Sequence, residues 1–157
     1  MGGLNKSNLV ILKGKTRSGK TAEAKKRAEI ALDEGKRVYV FDCYDEYDDL
    51  IQYASKDGVK KHALAVYTGF EYTPALEYLN MVKETETSKQ GHMKSYLIVE
   101  GFGQLVKQEE QMEFFRILDK LTTQNVEALI TMQDLDGVID PFLLPWVLEK
   151  SHVSDFA

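Results

Sequence analysis

Apolar positions in this chain come in short continuous runs, separated by longer amphipathic stretches, and the two kinds of segment alternate from end to end. Residues 8–12, 37–41, 63–67, 96–99 and 128–132 are the short runs. Half-buried strands alternate apolar and polar residues, so continuous runs of this length predict strands covered on both faces. The intervening segments carry helical spacing. Residues 20–34 are rich in alanine, and Gly35 is placed to cap the helix end. Residues 48–54 predict a short helix. Thr73 followed by Pro74 supplies an N-cap and a proline at the first helical position, so a helix is expected from there to about residue 84. Residues 108–122 place Phe115, Leu118, Leu121 and Thr122 on one face, with Phe114 beside them. Residues 85–94 are polar and predict a mobile loop. Residues 141–149 predict a last short helix whose apolar residues, Trp146 among them, pack on the sheet or meet another subunit.

Alternating strands and helices give the expected fold class: α/β, a three-layer sandwich around a mostly parallel central sheet of about five strands. Ligands on such sheets bind beyond the carboxyl ends of the strands. The 157 residues contain no linker, repeat or low-complexity stretch, so one domain over residues 1–157 is expected. A chain of this size builds its core without disulfides, and its single cysteine, Cys43, has no internal partner. No apolar run approaches the ~18 residues of a membrane span, and the first residues form no apolar signal core. A cytoplasmic protein without membrane insertion is expected.

Charge sharpens this picture by its distribution. The net value of −5 argues against a protein that coats nucleic acid by bulk charge. Residues 13–27 nevertheless hold seven bases and one acid, whereas residues 42–50 hold five acids and no base. Such segregation suits a site that takes an anion and a metal ion together.

The basic stretch contains Gly14-Lys15-Thr16-Arg17-Ser18-Gly19-Lys20-Thr21, a complete G-x-x-x-x-G-K-[ST] pattern, placed between an apolar strand and a helix. Glycines let successive backbone N–H groups turn toward one centre, and the following helix start adds positive potential there. Lys20 is expected to reach the β- and γ-phosphates, and Thr21 to offer its hydroxyl to Mg²⁺. ATP with Mg²⁺ is the expected ligand, and the domain reads as a P-loop nucleotide-binding domain.

Hydrolysis at such a loop also needs a metal-side acid and a group that orients water. Glu100 ends the run Tyr96-Leu97-Ile98-Val99 and is the candidate second Mg²⁺ contact. The next residue, Gly101, has no side chain to act as base. Asp42, Asp45 and Glu46 follow the second strand at what should be the same sheet edge, and Glu46 is the candidate base. Asp42 is expected to position the loop or a metal-bound water. Gln133 follows the fifth strand, where an amide can contact γ-phosphate or the attacking water. Cys43 reads as structural, and the three histidines show no metal spacing.

These elements together resemble the HerA/FtsK-type branch of the RecA-like P-loop ATPases. The resemblance runs from about residue 9 to 150, through LVILKGKTRSGKT, VYVFDCYDEYDDL, YLIVEGFGQL and LITMQ. In it, Asp42 to Tyr47 is similar to the family's element after the second strand, and Gln133 to its sensor glutamine. The resemblance implies a further strand between the phosphate-loop strand and the strand ending in Glu100. It also implies ATP-driven translocation, packaging or transfer of DNA by a homo-oligomeric ring, as in phages and mobile elements. Two other functions stay open. Only four arginines occur, Arg17, Arg27, Arg37 and Arg116; with Gly101, this favours a slowly hydrolysing or non-hydrolysing nucleotide switch or adaptor. A small P-loop kinase for a nucleotide or other metabolite fits the length, with residues 85–94 as its candidate lid.

Overall fold

The computed structural model describes residues 8–15, 18–88 and 94–156. Within these, the strands are β1 (Leu9–Gly14), β2 (Val38–Asp42), β3 (Leu64–Tyr67), β4 (Ser95–Glu100), β5 (Val126–Met132) and β6 (His152–Phe156). The helices are α1 (Lys20–Asp33), α2 (Asp48–Ala54), α3 (Ala75–Ser88), α4 (Phe102–Leu105), α5 (Gln111–Thr122) and α6 (Leu144–Lys150), and a 3₁₀ turn at Gln108–Glu110 leads into α5. The strands form one six-stranded sheet in the order β3-β2-β4-β5-β1-β6, and each neighbouring pair is parallel. β5 lies between the phosphate-loop strand β1 and the Glu100 strand β4, as the resemblance implies.

Period-two side-chain alternation splits the apolar runs between two cores. Leu9, Ile11, Tyr39, Phe41, Leu97, Val99, Ala128 and Ile130 face a cluster built with α3 and α5. Leu12, Val38, Val40, Ile98 and Leu129 face a second cluster under α1 and α2. On α1, Ala24, Ala28, Ala31 and Leu32 form the buried stripe. Small residues there let the helix lie close to the sheet, so its first turn stays near the strand ends. Phe114, Phe115, Ile117, Leu118 and Leu121 of α5 are buried, each contributing on the order of 1.5–3 kcal/mol of transfer free energy. Trp146 of α6 packs on Phe115 with ring centroids 6.0 Å apart, while Phe142, ahead of that helix, is exposed.

Four segments differ from the sequence expectation, the first being α4, a one-turn helix just after Glu100 that the sequence pattern does not predict. α3 continues to Ser88, so the first four residues of the expected loop at 85–94 are helical; residues 89–93 of that loop lie outside those described. The last turn is held from the sheet: Tyr39 Oη and Ser95 Oγ both donate to Glu86 Oε2, at 2.6 and 2.7 Å. The last helix begins at Leu144, after a turn at 141–143. The sheet also has a sixth strand, β6, whose sequence His-Val-Ser-Asp-Phe forms no apolar run. Its place comes from pairing with β1, reinforced by a 2.9 Å ion pair between Lys13 and Asp155. No helix among the described residues is long and apolar enough to cross a membrane.

Candidate functional site

Parallel pairing brings the carboxyl ends of β1, β4, β5 and β2 to one edge of the sheet, and a cleft of about 1050 Å³ opens there. Gly19, Lys20, Thr21, Glu46, Glu100 and Gln133 all line it. Gly14 ends β1 beside β6, and Lys15 and Ser18 continue the loop toward α1. Thr16 and Arg17, the other two expected phosphate contacts, lie outside the described residues. Gly19 takes a left-handed conformation, φ 100°, and caps α1. That backbone turn aims the helix start into the cleft, and glycine adopts it without steric cost.

Lys20 is nearly buried. Its ammonium donates to the carbonyl oxygens of Gly14 and Lys15, the second at 2.8 Å, and lies 3.4 Å from Ser18 Oγ. Burial pushes its pKa down, and the charge of Glu100 opposes that shift. A cation wrapped by its own loop at a helix N-terminus suits a polyphosphate anion.

Glu100 is 3% exposed and accepts three hydroxyl hydrogen bonds. Thr21 Oγ1 donates to Oε2 at 3.2 Å, Thr131 Oγ1 donates to Oε2 at 2.7 Å, and Tyr47 Oη donates to Oε1 at 2.6 Å. Thr131 also accepts the Gly101 N–H at 2.9 Å. A hydroxyl and a carboxylate oxygen this close form a hard-oxygen pair of the kind Mg²⁺ takes alongside phosphate oxygens and water. The donor set therefore fits a nucleotide-bound Mg²⁺, and Thr21 and Glu100 are the residues that would hold it.

The acidic segment divides into two parts. Asp42 is buried and accepts the backbone N–H groups of Glu46 and Tyr47, at 3.0 and 3.2 Å, so it shapes the loop after β2. Burial raises its pKa, and those two backbone hydrogen bonds work against the rise. Glu46 is exposed and reaches the cleft from this loop. Cys43 is half-buried, its thiol pKa pushed up by burial and then by Asp42 and Glu100, the reverse of an activated nucleophile.

Three residues that sequence reasoning gave no chemistry belong to this site: Tyr47, Thr131 and Tyr44. The Tyr44 ring lies against Gly101 at the cleft wall. Thr131 left one signal, a hydroxyl inside the apolar run Ala128–Met132. Tyr47 entered only as the last residue of the Asp42–Tyr47 element and Tyr44 left no signal, because each acts through a contact across the fold. Among the arginines, Arg27 pairs with Glu23 and Arg116 with Glu113, in both cases along one helix.

No protein-family model matches the chain, and no curated protein matches it. Solved structures do. One is the flagellar accessory protein FlaH from Methanocaldococcus jannaschii, 17% identical, with a TM-score of 0.57 over 98% of this chain and 73% of that one. A DNA replication initiation factor is 20% identical, with a TM-score of 0.55, and PCH-2 from C. elegans is 12% identical, also with a TM-score of 0.55. The match covers 96% of this chain in both cases, but only 40% and 35% of those proteins' own length. At these identities the likeness establishes the fold alone, a parallel β-sheet with helices packed against it.

Proposed function

We propose that this chain binds ATP with Mg²⁺ at the β1–α1 loop and hydrolyses it, coupling turnover to the handling of DNA as a homo-oligomer of the HerA/FtsK type. The observation that carries the nucleotide reading is the convergence on one cleft of Lys20, at a left-handed helix start, with the Thr21–Glu100 oxygen pair. Lys20 and the loop of residues 14–21 hold the phosphates. Thr21 and Glu100 hold Mg²⁺, which when bound neutralises charge on the transferred phosphate. Glu46 takes the proton of the attacking water, and Gln133 orients that water or contacts the γ-phosphate. The DNA-handling part rests on the sequence resemblance. ATP turnover measured with and without DNA tests it: stimulation by DNA is expected, and turnover indifferent to DNA contradicts it.

A second reading, a slowly hydrolysing nucleotide switch, is favoured by the backbone at Gly101. That residue has φ 75°, and a Cβ there would lie 2.7 Å from Tyr44 Cε2, so a side chain after Glu100 would strain the backbone and displace the Tyr44 ring. Nucleotide binding without turnover, whatever DNA or protein is added, is the result that selects the switch.

A further inference from the structure

The nucleotide reading gives roles to Glu100 and Thr21 but leaves two of the three hydroxyls on Glu100 without one. Thr131 comes from β5, and Tyr47 caps the start of α2. Tyr47 is fully buried, ring and hydroxyl alike. A phenol in such a place costs free energy unless its O–H is satisfied, and phenylalanine would fill the same space without that demand. Its hydroxyl is spent on Oε1 of Glu100, while Thr131 takes Oε2. Burial, and then the Glu100 charge, raise the Tyr47 pKa well above the ordinary phenol value, so the group remains a donor.

The main chain of Tyr47 is fixed as well. Its N–H and that of Glu46 are both held by Asp42, and the Lys25 ammonium of α1 lies 5.6 Å from the ring centroid. Tyr47 thus ties the end of β4 to the loop that carries Glu46.

We propose that Tyr47 and Thr131 are positioning residues whose hydroxyls fix the two oxygens of Glu100, so that the carboxylate meets the divalent cation in one orientation and the Glu46 loop is anchored to the same acid. This rests on the nucleotide–Mg²⁺ reading above. Groups that orient a metal-binding carboxylate typically change metal affinity by roughly 10–100-fold when removed.

The test is a Mg²⁺ titration of binding to a fluorescent ATP analogue, using the full chain, Tyr47→Phe and Thr131→Val, with folding checked by thermal melts. Each variant is expected to need roughly tenfold more Mg²⁺ for half-maximal binding, with affinity for the analogue in EDTA unchanged. In a Glu100→Gln background, adding Tyr47→Phe should shift the midpoint no further, a non-additivity that a merely structural residue does not produce. A wild-type Mg²⁺ midpoint in either folded variant, or additive shifts in the Glu100→Gln background, overturns the proposal. If Tyr47→Phe does not fold, Thr131→Val decides by the same criterion. Failure of the wild-type chain to bind the analogue at all defeats the nucleotide reading, and this proposal with it.

Discussion

Gly101 is glycine for a backbone reason. It sits in the left-handed region, gives its N–H to Thr131, and has the Tyr44 ring against it. Gly101→Ala should therefore destabilise the fold by about 1–2 kcal/mol from the left-handed backbone alone. Tyr44 is half exposed and can swing aside, so adding Tyr44→Ala should relieve only the crowding. Urea unfolding of wild type and these two variants checks this, and a Gly101→Ala chain as stable as wild type contradicts it. With no side chain at that position, Glu46 is the base that the hydrolysis reading requires. A positioned base typically contributes about 10²–10⁴-fold, so Glu46→Gln should lower kcat by at least roughly tenfold while ATP still binds. Asp45→Asn is the control and should lose less, since asparagine tolerates the left-handed backbone at Asp45. A wild-type kcat for Glu46→Gln places the base elsewhere. At this scale, residues at strand ends were legible: Lys20, Thr21, Glu46, Glu100 and Gln133 all line the cleft. Tyr47 and Thr131 were not, because their role is a contact between elements distant in sequence.

At the scale of elements, β6 is the part that local patterning could not reveal. Its residues alternate weakly and three of the five are exposed, so the strand exists through its ladder to β1. That ladder constrains the phosphate loop directly. A Cβ on Gly14 would lie 2.1 Å from the carbonyl oxygen of Phe156, a backbone atom that cannot rotate away. Gly14→Ala is thus expected to detach the end of β6, at a cost of about 1–3 kcal/mol. Hydrogen exchange would show this as faster exchange of the β6 amides, and wild-type protection there would contradict it. The longer α3 has the same kind of cause: residues 85–88 are polar and look like loop, but Glu86 is held by Tyr39 and Ser95 from the sheet. Apolar runs and capping residues located most of the other elements because those signals are local; the one-turn α4 carried no such signal, and β6 and the end of α3 depend on partners far along the chain.

For the whole molecule, the wholly parallel sheet sets one open edge where the charge segregation of the sequence becomes spatial: Lys20 shares a cleft with Glu46, from the loop after β2, and Glu100, at the end of β4. Arg27 and Arg116 are each engaged by a glutamate of their own helix. If the chain works as a ring, ATP should promote assembly with the nucleotide between subunits. Light scattering with a non-hydrolysed analogue is expected to show an oligomer, and a monomer with and without DNA would favour the switch. The claim beneath all of these is that the cleft holds a nucleoside triphosphate through Lys20. Its most direct test is a titration of wild-type and Lys20→Ala chains with a fluorescent ATP analogue in Mg²⁺. A hydrogen bond involving a charged group is worth about 1.5–3 kcal/mol, so a folded Lys20→Ala chain should bind roughly tenfold or more weakly. Equal affinity in the two folded proteins would contradict the account.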